Sequence, residues 1–98
     1  MYLAKVVGTV VASQKYSKFL GMKLLLIQPC ASGDKALVPQ GSSLVAVDCV
    51  SCGVGDLVMF TQGSSARMTE CTKDSPVDAV IIGIVDSVEV DGKPLKKP

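Results

Sequence analysis

Apolar and polar positions along this chain alternate with the period of a β-strand far more than with that of a helix. In the first 13 residues, Ala4, Val6, Gly8, Val10 and Ala12 fall on one face. They are small or medium apolar groups, as the inside of a tightly curved barrel requires. The other face, Leu3, Lys5, Val7, Thr9, Val11 and Ser13, is mixed, which predicts a covered outer surface. After a polar connection over 14–20 that carries Lys15 and Lys18, Gly21 leads into Met22–Gln28, a second strand apolar on both sides. Gly21 and Pro29 leave barely two turns between them, so strand is favoured over helix there.

From Pro29 to Ser43 the composition shifts to Gly, Asp, Ser, Pro and Gln, and a surface loop is expected. Leu44–Val50 reads as a third strand and Leu57–Thr61 as a fourth, separated by the glycine turn Gly53-Val54-Gly55-Asp56. Ser75, Pro76 and Asp78 look like a helix start: a capping hydroxyl, a proline at the first position and an acid in the first turn. The β-branched run Val80–Val85 with alternation to Val90 ends that helix early and makes a fifth strand. The expectation is an all-β fold, mainly antiparallel: a five-stranded OB-like barrel with one short helix before the last strand. Residues 1–90 form the barrel domain, and 91–98, with the turn Asp91-Gly92, a mobile C-terminal tail.

The segment Gly53–Arg67 is the organising stretch: a tight turn (Gly53, Gly55, Asp56), a buried strand, and the small-residue loop Gly63-Ser64-Ser65-Ala66-Arg67. Small residues let backbones converge and Arg67 adds one fixed charge, which suits a subunit interface or an axial opening better than an active site.

Size and charge narrow the function. Ninety-eight residues that are 48% hydrophobic, with mean hydropathy +0.42, are more apolar than a small monomer needs, so some of that surface is expected to meet other subunits. The apolar run Ala79–Val85 falls far short of the ~20 residues of a membrane span, so no membrane partner is expected. Ten basic against nine acidic residues give a net charge of +1, and the four aromatics are scattered, so no nucleic-acid platform is expected. No export signal precedes the first strand, which points to the cytoplasm and to reduced thiols at Cys30, Cys49, Cys52 and Cys71.

Candidate chemistry is thin. Cys49-Val-Ser-Cys52 lacks the second pair and the histidines of a common zinc site and follows a strand, without the helix N-terminus a redox pair uses. Gly53-Val-Gly55 lacks the third glycine of a dinucleotide fingerprint. With no histidine, Ser64 and Ser65 have no neighbouring base. Asp48, Asp56, Asp78 and Asp86 read as cap, turn or rim residues. No catalytic residue, metal ligand, disulfide or cofactor is expected, and an enzyme is the weakest reading. An OB-like binding module for nucleic acid or a small ligand is the alternative.

Lys5-Val-Val-Gly8-Thr-Val-Val-Ala12, Gly21-Met-Lys23-Leu24 through Gln28-Pro29, Val45-Ala-Val-Asp48, Gly53-Val-Gly55-Asp56, Gly63-Ser-Ser-Ala-Arg67 and Ile84-Val-Asp86 occur in this order. Together they resemble bacterial microcompartment vertex proteins, the EutN/CcmL family, over about residues 1–90. The resemblance implies an OB-like barrel that forms a homopentamer and closes the five-fold corners of a shell whose facets are hexameric shell proteins. It places the chain in the cytoplasm, in the shell of such a compartment. Lys15, Lys18, Asp34 and Lys35 are then candidates for the rim that meets hexamers.

Overall fold

The computed structural model describes residues 1–12, 21–67 and 78–98. Its strands are β1 (Tyr2–Thr9), β2 (Lys23–Ser32), β3 (Leu37–Pro39), β4 (Leu44–Asp48), β5 (Leu57–Gln62), β6 (Ala79–Ile84), β7 (Glu89–Val90) and β8 (Lys93–Pro94). The five longer strands close in the order β1-β5-β6-β4-β2 and back to β1. Only β4 with β6 is a parallel pair; the other barrel pairings are antiparallel. This is the expected five-stranded OB-like barrel, and closure leaves none of its five strands with a free edge along its whole length. Among the described residues the only helical turn is a 3-10 turn at Gly63–Arg67. The expected helix start at Ser75–Val77 lies outside the described residues, as do Lys15 and Lys18.

The barrel is filled by alternate residues of each strand: Ala4, Val6, Leu25, Ile27, Ala46, Val58, Phe60, Ala79 and Ile81, joined by Cys52. Phe60 is the largest of them, and Tyr2, its cross-strand partner, covers it with ring centroids 5.5 Å apart. Each large aliphatic or aromatic side chain buried this way contributes about 1.5–3 kcal/mol.

The strict alternation expected through Ala12 does not hold. A β-bulge between Val6 and Gly8 inserts one residue, so Val6 pairs with Ile27 but Gly8 pairs with Leu26 and Thr9 with Leu25. One extra residue exchanges the two faces of a strand. Gly8 therefore joins Leu26 on the outside, and β1 ends at Thr9.

The expected loop from Pro29 is a correction as well. β2 runs on to Ser32 and turns back through β3, with Cys30, Ala31 and Ser32 opposite Pro39, Val38 and Leu37. Pro29 lacks a donor, but it still sits opposite Ala4 and its carbonyl accepts from the Gln40 N–H at 2.9 Å. Gly33 makes the turn possible: a Cβ there would lie 2.7 Å from the Ala36 carbonyl oxygen.

Strands apolar on both faces were expected to meet other subunits. Much of that second face is instead covered by the chain itself. Cys30, Leu37, Leu57 and Leu95 form a second cluster with Leu3, Val85 and Val88. Val47, Ala66 and Val80 form a third with Met22, Leu24, Cys49 and Ile82. The segment expected as a mobile tail is thus fastened. β7 and β8 make a hairpin over Asp91-Gly92, whose two positive φ angles suit the tight primed turn. Beyond it, the Leu95 N–H donates to Val88, and Lys96 bonds to Lys35 and Leu37 through the backbone.

Candidate functional site

Gly53-Val-Gly-Asp56 is a type II turn. The Asp56 N–H donates to the Gly53 carbonyl at 3.1 Å, and Gly55 at the third position has φ +96°, which an L side chain rarely adopts. The Asp56 carboxylate closes the turn by accepting the Gly53 N–H at 2.8 Å. The turn is then sewn to β1: Gly55 donates to the Val6 carbonyl at 2.8 Å, and Val6 donates to the Asp56 carbonyl at 2.9 Å. Gly53, Gly55 and Asp56 therefore build a rigid edge beside the bulge, with Val54 at its exposed tip.

The loop Gly63–Arg67 is the 3-10 turn. It starts from Gly63 at φ +67°, whose N–H donates to the Asp78 carbonyl at 2.9 Å. Ala66 is fully buried against Val47 and Val80 on the outside of the barrel, while Ser64 is exposed. A small residue at 66 lets the turn lie close on β4 and β6. The side chains of Ser65 and Arg67 lie outside the described part. Six residues of β5 separate this turn from the Gly53–Asp56 edge. At the rise of a strand that is about 20 Å. The two motifs stand at opposite ends of one strand and do not make a common pocket.

A third constellation, not singled out from the sequence, sits at the end of β2 and β4. Lys23 and Asp48 are opposite each other in the ladder, and Lys23 Nζ lies 3.3 Å from Asp48 Oδ2. Nζ also donates to the Cys52 carbonyl at 2.6 Å, and Asp48 Oδ1 accepts the Val50 N–H at 2.9 Å. The Asp48 side chain is fully buried, whereas that of Lys23 is 52% exposed. Burial by itself would raise the Asp48 carboxyl, but the bonds from Val50, Cys52 and Lys23 outweigh it and hold it below its ordinary value. Burial and the facing Asp48 carboxylate push the Cys52 thiol up to about 11. A protonated buried thiol is no nucleophile, and an ionised carboxylate tied to a lysine is no general acid. The cluster fastens the β4–β5 connection to β2. Its visible trace in the sequence was a charged residue closing an otherwise apolar strand.

The cysteines require a correction. Cys30 and Cys52 are buried free thiols, but Cys49 is disulfide-bonded. Cys49-Val-Ser-Cys52 thus does not close on itself, and the expectation of four reduced thiols fails. Spacing could not show it, because a disulfide depends on which strand ends meet in space. Among the described residues no three His, Cys, Asp or Glu side chains converge as metal ligands. No helix of the described residues is long and apolar enough to cross a membrane.

Comparison with known proteins places this geometry. A family model described as "Ethanolamine utilisation protein EutN/carboxysome" matches residues 1–86. The carboxysome shell vertex protein CcmL of Gloeobacter violaceus is 44% identical over 95 residues, covering 97% of this chain and 92% of the relative. The microcompartment shell vertex protein GrpN of Rhodospirillum rubrum is 45% identical over 89 residues, covering 91% and 97%. The solved structure of that GrpN, a pentameric microcompartment shell protein, superposes with a TM-score of 0.79, covering 92% of this chain and 99% of GrpN.

Proposed function

The chain belongs to the EutN/CcmL family, and from that premise we propose that it is a structural shell protein whose homopentamer caps the five-fold vertices of a bacterial microcompartment. The observation that carries this reading is the near-full-length match, in sequence and fold, to vertex proteins that include a pentameric one. A flat lattice of six-fold units cannot close without five-fold defects, and a pentameric ring placed at the corners supplies them.

The role is mechanical. The barrel is stiff: closed, bulged at a defined position, and fastened on the outside by its own C-terminal segment and 3-10 turn. Stiffness is what a corner piece needs, because its rim must hold a fixed angle to its neighbours. Those neighbours are hexameric shell proteins, met through shape fit and polar pairs at a rim for which Lys15, Lys18, Asp34 and Lys35 are the candidates. The chain catalyses nothing and binds neither nucleic acid nor a membrane. It works in the cytoplasm, within the shell. Nothing favours the OB-like binding module: of the two described aromatics, Phe60 is in the core and Tyr2 lies against it. We place Gly63–Arg67 at the subunit contact or around the five-fold axis, where five copies of a small-residue turn converge and Arg67 makes the opening electropositive. Ser64→Trp is then expected to impair the ring while leaving the barrel folded.

Co-expression of the cognate hexameric shell proteins with and without this chain tests the vertex role. Open, elongated or leaky shells are expected in its absence. Closed, impermeable polyhedra formed without it would overturn the assignment. A nucleic-acid binding titration separates the alternative, since a phosphate binder weakens steeply with salt.

A further inference from the structure

Among the described residues, exposed apolar side chains stand at both ends of β1, besides Val11, Val38, Val45, Ile84 and Val90 elsewhere. At the bulge end, Val7 is 42% exposed and Val54, at the tip of the adjoining turn, 62%. At the other end Met1 and Tyr2, 74% and 55% exposed, border an open groove of about 460 Å³ whose floor includes Leu3, Ala31 and Met59. Five residue steps along β1 lead from Tyr2 to Val7, about 17 Å along the strand. The two patches do not overlap, and they are unlike in shape: a projecting turn and a shallow, open groove.

Two glycines at the first patch have no explanation within the chain. Neither Gly8 nor Gly53 has a left-handed φ. A Cβ on Gly8 would make ordinary contact with Leu26 at 3.7 Å, and one on Gly53 would meet nothing within 4 Å. Alanine at either position would fit the fold and restrict the unfolded chain, so it would stabilise if folding alone were at stake. Bare backbone beside exposed valines fits a surface that another backbone approaches closely.

We propose that the Val7–Val54 edge of one protomer seats in the Met1–Tyr2–Met59 groove of the next copy of this chain, and that this head-to-tail contact builds the ring. The occupant is a second copy because a ring of identical chains closes only through two unlike patches on each chain. This chain displays such a pair at opposite ends of one strand. The assignment rests on the pentamer reading above.

Native mass spectrometry of the full chain and two patch variants tests it. Wild type is expected at five times the 10.2 kDa chain mass. Val54→Asp, which spoils the edge, and Ala31→Asp, which spoils the groove, are each expected to fall fivefold to monomer with an unchanged circular dichroism spectrum. Val54→Ser and Tyr2→Ser serve as milder versions if either aspartate variant fails to fold. Mixing the two aspartate variants is expected to give a one-to-one heterodimer and nothing larger, because one intact edge then meets one intact groove and no further contact remains. A wild-type pentamer whose Val54→Asp or Ala31→Asp variant is also pentameric overturns this contact and leaves the pentamer standing. Monomeric variants whose mixture stays monomeric overturn it too. A monomeric wild type removes the pentamer itself.

Discussion

Asp48 is the buried charge on which the end of the barrel depends, and Asp48→Ala and Asp48→Asn together measure what it does. Its carboxylate accepts the Val50 N–H at 2.9 Å and pairs with Lys23 at 3.3 Å. Alanine removes both and leaves the Val50 donor without its partner. A hydrogen bond to a charged group is worth about 1.5–3 kcal/mol. The ion pair adds at most about 1 kcal/mol, because Lys23 is half exposed and solvent screens it. Asp48→Ala is therefore expected to cost about 3 kcal/mol. Asparagine keeps an oxygen for Val50 and loses only the charge, so about 1 kcal/mol is expected from the same considerations. Urea unfolding at fixed protomer concentration is the assay, since assembly adds concentration-dependent stability. The pH dependence carries the sign. The folded carboxyl titrates below its ordinary 3.8, so its stabilisation is present above that value and is lost as pH falls through the lower folded value. The gap between wild type and Asp48→Asn should hold steady near neutrality and close in acid. Equal stability of wild type and Asp48→Ala, or a gap that widens in acid, would refute the account.

Three further outcomes are expected. The Cys52 thiol is raised from 9.0 to about 11, so stability present below pH 9 should decline as pH rises across that interval, and Cys52→Ala should flatten the decline in urea titrations run at stepped pH. Gly55→Ala must adopt φ +96° and is expected to lose about 1–2 kcal/mol by urea unfolding, whereas Gly53→Ala should leave the folded barrel intact and register instead in ring mass. Leu95→Ala should cost about 2 kcal/mol and speed amide exchange at Leu37, whose N–H bonds to the Lys96 carbonyl; unchanged exchange would mean that the C-terminal segment does not fasten β3.

Much of this protein could be read from local rules. Period-two alternation marked Ala4, Val6, Leu25 and Ile27 as one interior, because a side chain's face on a strand depends only on its parity. Glycine and aspartate placed the Gly53–Asp56 and Asp91-Gly92 turns, because positive φ is a property of single residues. Length, hydropathy and charge together argued against a membrane span and for subunit contacts.

Tertiary structure decided what parity cannot carry across a defect or across space. The bulge after Val6 turned Gly8 outward, and no single residue announces where an extra one will be accommodated. Pro29 did not stop β2, because Ala4 and Gln40 hold it from either side. Ala66 and Leu95 cover outer faces that looked destined for neighbours, since burial depends on which distant segment folds back. Lys23 lies far along the chain from Asp48 and Cys52, and it joins them in one cluster only because β2 and β4 are paired. The disulfide at Cys49 belongs to the same class. Local propensity acts over a few residues, whereas charge pairing, cross-links and coverage are set by contacts that exist only once the barrel has closed.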